Sequence, residues 1–241
     1  MIRLSRVDFA DMQRLVSLGT LIHGLIHNLN GPLQNLGMDM DMIGLTLESG
    51  ENRVEDLQKE IRTRLGRMEE EFTRITHLIR SAASRTSPED EETGYMNLGD
   101  FLQGEIDFLK ANLYFKHHVK TDLSLEGDLP SMRELPPGTA TCLRGFLQAV
   151  VEELERRKMG VFSLKAPAAE SGTLIRLFAG EAPFSAPFLL ALKGEIEEEE
   201  GSLSVGADQL AATHAGILLG LAGIRPEVKS DPDGTLVTLR C

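Results

Sequence analysis

Apolar residues at Leu15, Leu18, Ile22, Leu25, Leu29, Leu36, Met40, Ile43 and Leu47 recur at steps of three and four, and Pro32 stands where the series would otherwise continue. Only a helix brings residues three and four apart onto one face, so the pattern predicts one long helix over residues 8–48 with a coiled-coil seam. Gly50, with Ser49 and Asn52 beside it, marks a turn. Beyond it Val54, Leu57, Ile61, Met68, Phe72, Ile75, Ile79 and Ala82 repeat the pattern, with Glu and Arg on the opposite face. The two segments form a helical hairpin. Two helices bury only one seam, so each chain lacks half of the core it needs, and two copies would complete a four-helix bundle. An obligate homodimer is expected.

His27 lies two residues from Leu25 and two from Leu29. At about 100° per residue that is roughly 160° from either, on the face opposite the seam, where His23, Asn30 and Gln34 also project. An imidazole there is open to a partner protein.

Ser84–Gly94, with Ser, Thr, Pro and a run of four acids, reads as a linker. A helical domain over residues 1–85 is thus joined through 86–95 to a second domain over 96–241. Its pattern predicts a short strand from Met96, a helix over 98–115, a strand over 119–125, a Pro-rich loop over 129–138 and a helix over 139–157. Strands over 160–165 and 173–178 follow, then a helical region over 187–198 and a helix over 207–222. Two last strands, 225–230 and 235–240, meet at Asp231-Pro232-Asp233-Gly234, a strong turn signal. Helices are expected on one face of the sheet. The fold class is α+β, a long helical hairpin followed by an α/β sandwich.

The formal net charge of -12 disfavours attraction to nucleic acid or to an anionic membrane, and most of the excess acid lies in the second domain. Cys142 and Cys241 are too few for a disulfide framework or a thiolate metal site, which fits a reducing cytoplasm. Residues 1–10, with Arg3, Arg6 and Asp8, lack the apolar core of a signal peptide. The longest apolar run, Ala215 to Ile224, is about half of what a membrane crossing needs. Neither nucleic acid nor a membrane is expected as a partner.

The segment His27-Asn28-Leu29-Asn30-Gly31-Pro32-Leu33 resembles the H-box of bacterial two-component histidine kinases, in which a His is followed by an acid, two variable residues, Asn or Thr, then Pro and Leu. The His, the Pro and the Leu are in register. Asn28 stands where the family has the acid that assists the kinase reaction, and Gly31 where it has the Asn or Thr associated with phosphatase activity. The resemblance implies that His27 is a phosphoacceptor, with His23, Asn28, Asn30, Gly31 and Gln34 as its supporting surface.

The element order of residues 96–241 is similar to the ATP-binding domain of the same family, but its nucleotide motifs are missing. Glu152, in Phe146-Leu147-Gln148-Ala149-Val150-Val151-Glu152-Glu153, aligns with the metal-binding Asn. A carboxylate there repels a triphosphate. Ala179, in Leu177-Phe178-Ala179-Gly180-Glu181, replaces the Asp that recognises adenine, and it cannot accept the adenine amine. Glu195–Glu200, with five acids in six residues, replaces the glycine-rich lid. Phosphate cradles need amide donors and positive charge.

The resemblance therefore implies a degenerate histidine kinase acting as a cytoplasmic histidine phosphotransferase. It would need no cofactor of its own, magnesium coming from the receiver domain of its partner. Its partners would be response-regulator receiver domains and, upstream, a sensor kinase. Most sensor kinases of this family are membrane-anchored or carry sensor domains, which this chain has no room for, so its input is expected from another protein. Two rival readings are a non-catalytic adaptor that binds response regulators or kinases, and a divergent ATP-dependent autokinase.

No metal site is expected. His23 and His27 have the spacing of a helical metal pair, but no third ligand lies near. His117 and His118 close a helical segment and complement its dipole, and His77 and His214 fall within helical patterns. Of Met38, Met40 and Met42, only Met40 falls on the seam. The acids at 197–200 read as a solvated loop or helix end.

Overall fold

The computed structural model describes residues 6–48, 54–83, 96–167, 173–195, 198–199, 202–203, 206 and 209–241. The expected turn at Gly50 and the expected linker lie outside the described residues. Helix α1 spans Arg6–Glu48 and α2 spans Val54–Ala83, the hairpin that the two seams predict. Pro32 sits inside α1 and does not end it. Its missing N–H leaves only the carbonyl of Asn28, four residues back, without its usual helical donor.

The hairpin packs along Leu29, Pro32, Leu36, Asp39 and Ile43 of α1 and Leu57, Ile61, Arg64, Met68, Glu71, Ile75 and Leu78 of α2, all buried or half-buried. Polar bonds fix its register. Across the hairpin Arg64 donates to Asp39 at 3.1 Å and the Asn35 amide donates to Glu71 at 2.7 Å, while Glu60 of the same helix accepts from Arg64 at 2.8 Å. The expected seam divides here. Leu29, Leu36 and Ile43 turn toward α2 and Leu25 toward the end of α3, while Ile22, Met40 and Leu47 are exposed with Ile26 and Leu33. On α2 a matching exposed row holds Leu65, Phe72 and Ile79.

The remainder is a mixed five-stranded sheet under a layer of helices. Helices α3 (Leu98–Leu109) and α4 (Leu113–His118) precede strand β1 (Lys120–Leu125). A 3-10 turn at Met132–Glu134 leads to α5 (Thr139–Arg157). Strands β2 (Val161–Ala166) and β3 (Leu174–Gly180), helix α6 (Ala186–Leu192), the two-residue strands β4 (Glu198–Glu199) and β5 (Ser202–Leu203), helix α7 (Leu210–Leu221) and strands β6 (Glu227–Asp231) and β7 (Gly234–Arg240) complete the chain. The sheet order is β1-β2-β3-β7-β6, with β1 and β2 parallel and the other pairs antiparallel.

Period-two alternation sends Phe162, Leu164, Ala166, Ile175, Leu177, Ala179, Val237 and Leu239 to the helix-covered face. Lys165, Arg176 and Arg240 go to the open one. The expected turn before β7 is present, Asp231 Oδ1 accepting from the N–H groups of Asp233 and Gly234 at 3.0 Å each.

Helix α7 is small and apolar all round, which lets it pack against α5, α6 and α1 at once. At Gly216 the carbonyl of Ala191 in α6 occupies the space a Cβ would take.

Four expectations are corrected. The strand from Met96 is a single bridge between Asn97 and Ser131. The helix over 98–115 is two helices, because Asn112 accepts from the Phe115 N–H at 2.8 Å and starts α4 afresh. The helix over 187–198 ends at Leu192, because Gly194 adopts a positive φ of 74°. Glu198 and Glu199, read as a loop or helix end, instead pair with Leu203 and Ser202.

Candidate functional site

Position 27 lies on α1 between Leu25 and Asn28, two residues that contact the α/β domain; the side chains of His23 and His27 lie outside the described ones. Leu25 packs on Phe108 and Ala111 at the end of α3. Asn28, one helical turn further on, is 9% exposed, and its Oδ1 accepts from the Lys116 Nζ of α4 at 2.9 Å. Beyond it Asn30, Gly31, Leu33 and Gln34 are exposed, Leu33 at 52%. Nothing lies within 4 Å of a Cβ built on Gly31.

Of the expected supporting surface, Asn30, Gly31 and Gln34 are open and Asn28 is not. The reason is helical spacing. Residues 25 and 28 lie about 60° apart around the axis, so the stripe that packs Leu25 against the α/β domain carries Asn28 under it as well. Lys116 was absent from the expected site.

Local structure anchors the helix that carries Lys116. The Asn112 side chain caps α4 and also donates to Glu155 of α5 at 2.7 Å. Phe115 is buried, edge-on to Phe162 of β2 with centroids 5.3 Å apart. The Tyr114 hydroxyl donates to the carbonyl of Met159 at 3.2 Å. On the outer side His118 stacks on Tyr114 at 5.2 Å, and the Lys158 ammonium lies 4.9 Å from the same ring. His117 and His118 occupy the last turn of α4, where a cation suits the helix dipole.

The expected nucleotide-site positions do not meet. Glu152 lines a cavity of about 170 Å³ between α5, α6 and α7, with Ala149, Glu153, Arg156, Phe188, Ala211 and Ala212. Ala179 is fully buried in β3 and is not part of that lining. Burial pushes the Glu152 carboxyl above its usual range; the hydrogen bond it accepts from Gln148 Nε2 at 2.8 Å opposes this, and the charge of Glu155 adds to it.

Glu153 is buried and structural in its contacts. It accepts from the Ser185 N–H at the start of α6 at 2.9 Å and from Arg156 Nε at 2.9 Å, while Arg156 also donates to the Ser185 hydroxyl at 2.7 Å. These groups pin α6 to α5 across the mouth of the cavity. Sequence reading missed this network, although Ser185 ahead of Ala186-Pro187 is a helix-start signal. His214 is buried in α7 rather than facing solvent. Among the described residues no cluster of three His, Cys, Asp or Glu has metal-site geometry, and no helix is long and apolar enough to cross a membrane.

No protein-family model matches the chain, and no curated protein matches it in sequence. Solved structures do resemble it. A bacterial phosphotransferase is 14% identical, with 93% of this chain and 96% of that one covered and a TM-score of 0.46. The Acinetobacter baumannii histidine kinase AdeS is 8% identical, with coverage of 89% and 96% and a TM-score of 0.39. The histidine kinase domain of a blue-light activated histidine kinase from Erythrobacter litoralis is 13% identical, with coverage of 89% and 90% and a TM-score of 0.39. The chemistry of this site is therefore read from its own residues.

Proposed function

We propose that this chain is a histidine phosphotransfer protein of a two-component relay, in which His27 takes a phosphoryl group from one response-regulator aspartate and passes it to another without ATP. The observation that carries this reading is the accessible helical surface around position 27. α1 runs unbroken through Pro32, and Asn30, Gly31 and Gln34, which lie outside the apolar rows, are exposed on it. A receiver domain needs such a surface, because phosphoryl transfer through a loose transition state depends mainly on alignment and charge neutralisation. The receiver brings the magnesium and the acidic pocket, and a sensor kinase supplies the phosphoryl group upstream of it.

The α/β domain supports the same reading. Its cavity of about 170 Å³ has Glu152 and Glu153 in its wall, and Glu153 and Arg156 are committed to holding α6. Nucleotide pockets usually exceed about 300 Å³. A triphosphate with magnesium fits neither the volume nor the charge of that cavity, which favours transfer without ATP over the autokinase.

The homodimer belongs to this proposal. The exposed rows Ile26, Leu33, Met40 and Leu47 on α1 and Leu65, Phe72 and Ile79 on α2 repeat mainly at intervals of seven and flank the intrachain seam, as two faces of a four-helix bundle would. The test is transfer of labelled phosphate from a panel of phosphorylated receiver domains. The parent and His23→Gln should accept label and His27→Gln should not. A parent that binds receivers and accepts no label favours the adaptor.

A further inference from the structure

We propose that Lys116, from the α/β domain, is a phosphoryl-binding residue of the transfer site on α1. The inference rests on the reading of His27 as the phosphoacceptor and adds to it a group from the other domain.

The geometry is specific. Lys116 Nζ lies 2.9 Å from Asn28 Oδ1, on the residue that follows position 27. Successive residues of a helix point about 100° apart, so Lys116 serves position 27 by swinging part-way around the axis. An ammonium has three donors, and the neutral amide of Asn28 takes one. Lys116 pairs with no carboxylate among the described residues. In a chain of net charge -12 a lysine carried on a capped, core-anchored helix to this point of α1 is a poor choice for solubility alone. Its partner Asn28 is a neutral amide, which leaves the cation available to an anion. A carboxylate at position 28 would form an ion pair with it.

In the step, a neutral imidazole nitrogen of His27 forms the N–P bond as the O–P bond of the aspartyl phosphate breaks. The bonding electron pair leaves on the aspartate carboxylate, and the other ring nitrogen keeps its proton. Negative charge on the three equatorial phosphoryl oxygens is shared by both directions of transfer. Lys116 would donate its two remaining N–H groups to those oxygens, tethered by Asn28 and free to swing on its four-carbon stem.

The experiment is single-turnover transfer from a phosphorylated receiver domain, over a range of receiver concentrations, with Lys116→Gln, Lys116→Arg, Asn28→Ala and the parent. Lys116 is exposed, so the folds of its variants should match the parent by circular dichroism and urea midpoint. Lys116→Gln should lower the maximal rate on the order of tenfold or more, with little change in the half-saturating receiver concentration. Lys116→Arg should recover much of the rate, and Asn28→Ala, which keeps the ammonium, should lose less than Lys116→Gln. Equal losses in Lys116→Gln and Asn28→Ala, or a change confined to half-saturation, would make Lys116 a strut between domains and overturn the inference. An unchanged maximal rate in Lys116→Gln would overturn it while leaving His27 in place. A parent that accepts no phosphate removes both.

Discussion

Glu152 and Glu153 are neighbours on α5 whose surroundings separate their roles. The folded state raises the affinity of Glu152 for its proton, so between the unfolded value near 4.5 and the higher folded value the folded chain binds more protons. Stability therefore falls as pH rises through that window. Glu152→Gln keeps an acceptor for Gln148 and removes the buried charge; its urea midpoint should exceed that of the parent near pH 7 and approach it near pH 4. A gain at both pH values alike would contradict this account. Glu153→Ala strips the Ser185 N–H and Arg156 of their acceptor and should cost about 2 kcal/mol, read by urea unfolding. The types of these residues were legible in the sequence, including the misfit of Glu152 and Ala179 with a nucleotide site, but their partners were not. Asn28 looked like open surface because one helix seen alone does not show which second face a neighbouring domain covers. Lys116 is 88 positions from Asn28 and belongs to no local pattern that points to α1.

Helix α7 tests how closely the elements fit. Gly216→Ala drives a methyl into the Ala191 carbonyl and should destabilise by about 1–3 kcal/mol, while Gly220→Ala, with open space around it, should be neutral or stabilising in the same urea titration. On the hairpin, Phe72 is 66% exposed and Met40 61%. Phe72→Glu should dissociate the proposed dimer at micromolar concentration by sedimentation equilibrium and leave helix content largely intact, because that side chain is not held within the chain. A parent that sediments as a stable monomer would contradict the bundle. The long helices and the strands were readable because their periods of 3.6 and 2 persist over many residues. Breaks were not. The restart at Asn112 and the stop at Gly194 are set by single residues inside stretches whose helical pattern otherwise continues, and the pairing of Glu198 and Glu199 with Leu203 and Ser202 overrides the loop or helix end that charged residues suggest.

At the scale of the molecule the α/β domain is a brace on the hairpin. Leu25 meets Phe108 and Ala111, Lys116 meets Asn28, and α7 lies along α1. The proposed transfer needs no ATP, so calorimetry with millimolar ATP and magnesium should show no binding. Micromolar affinity would restore the autokinase. Phosphorylation of one imidazole is tested most directly by peptide mapping after incubation with a phosphorylated receiver domain and no ATP. Phosphate that is labile to acid and stable to alkali should appear on the peptide containing His27 and vanish when fresh unphosphorylated receiver is added. Phosphate on another residue, or none across a panel of receivers that bind the chain, would contradict the account.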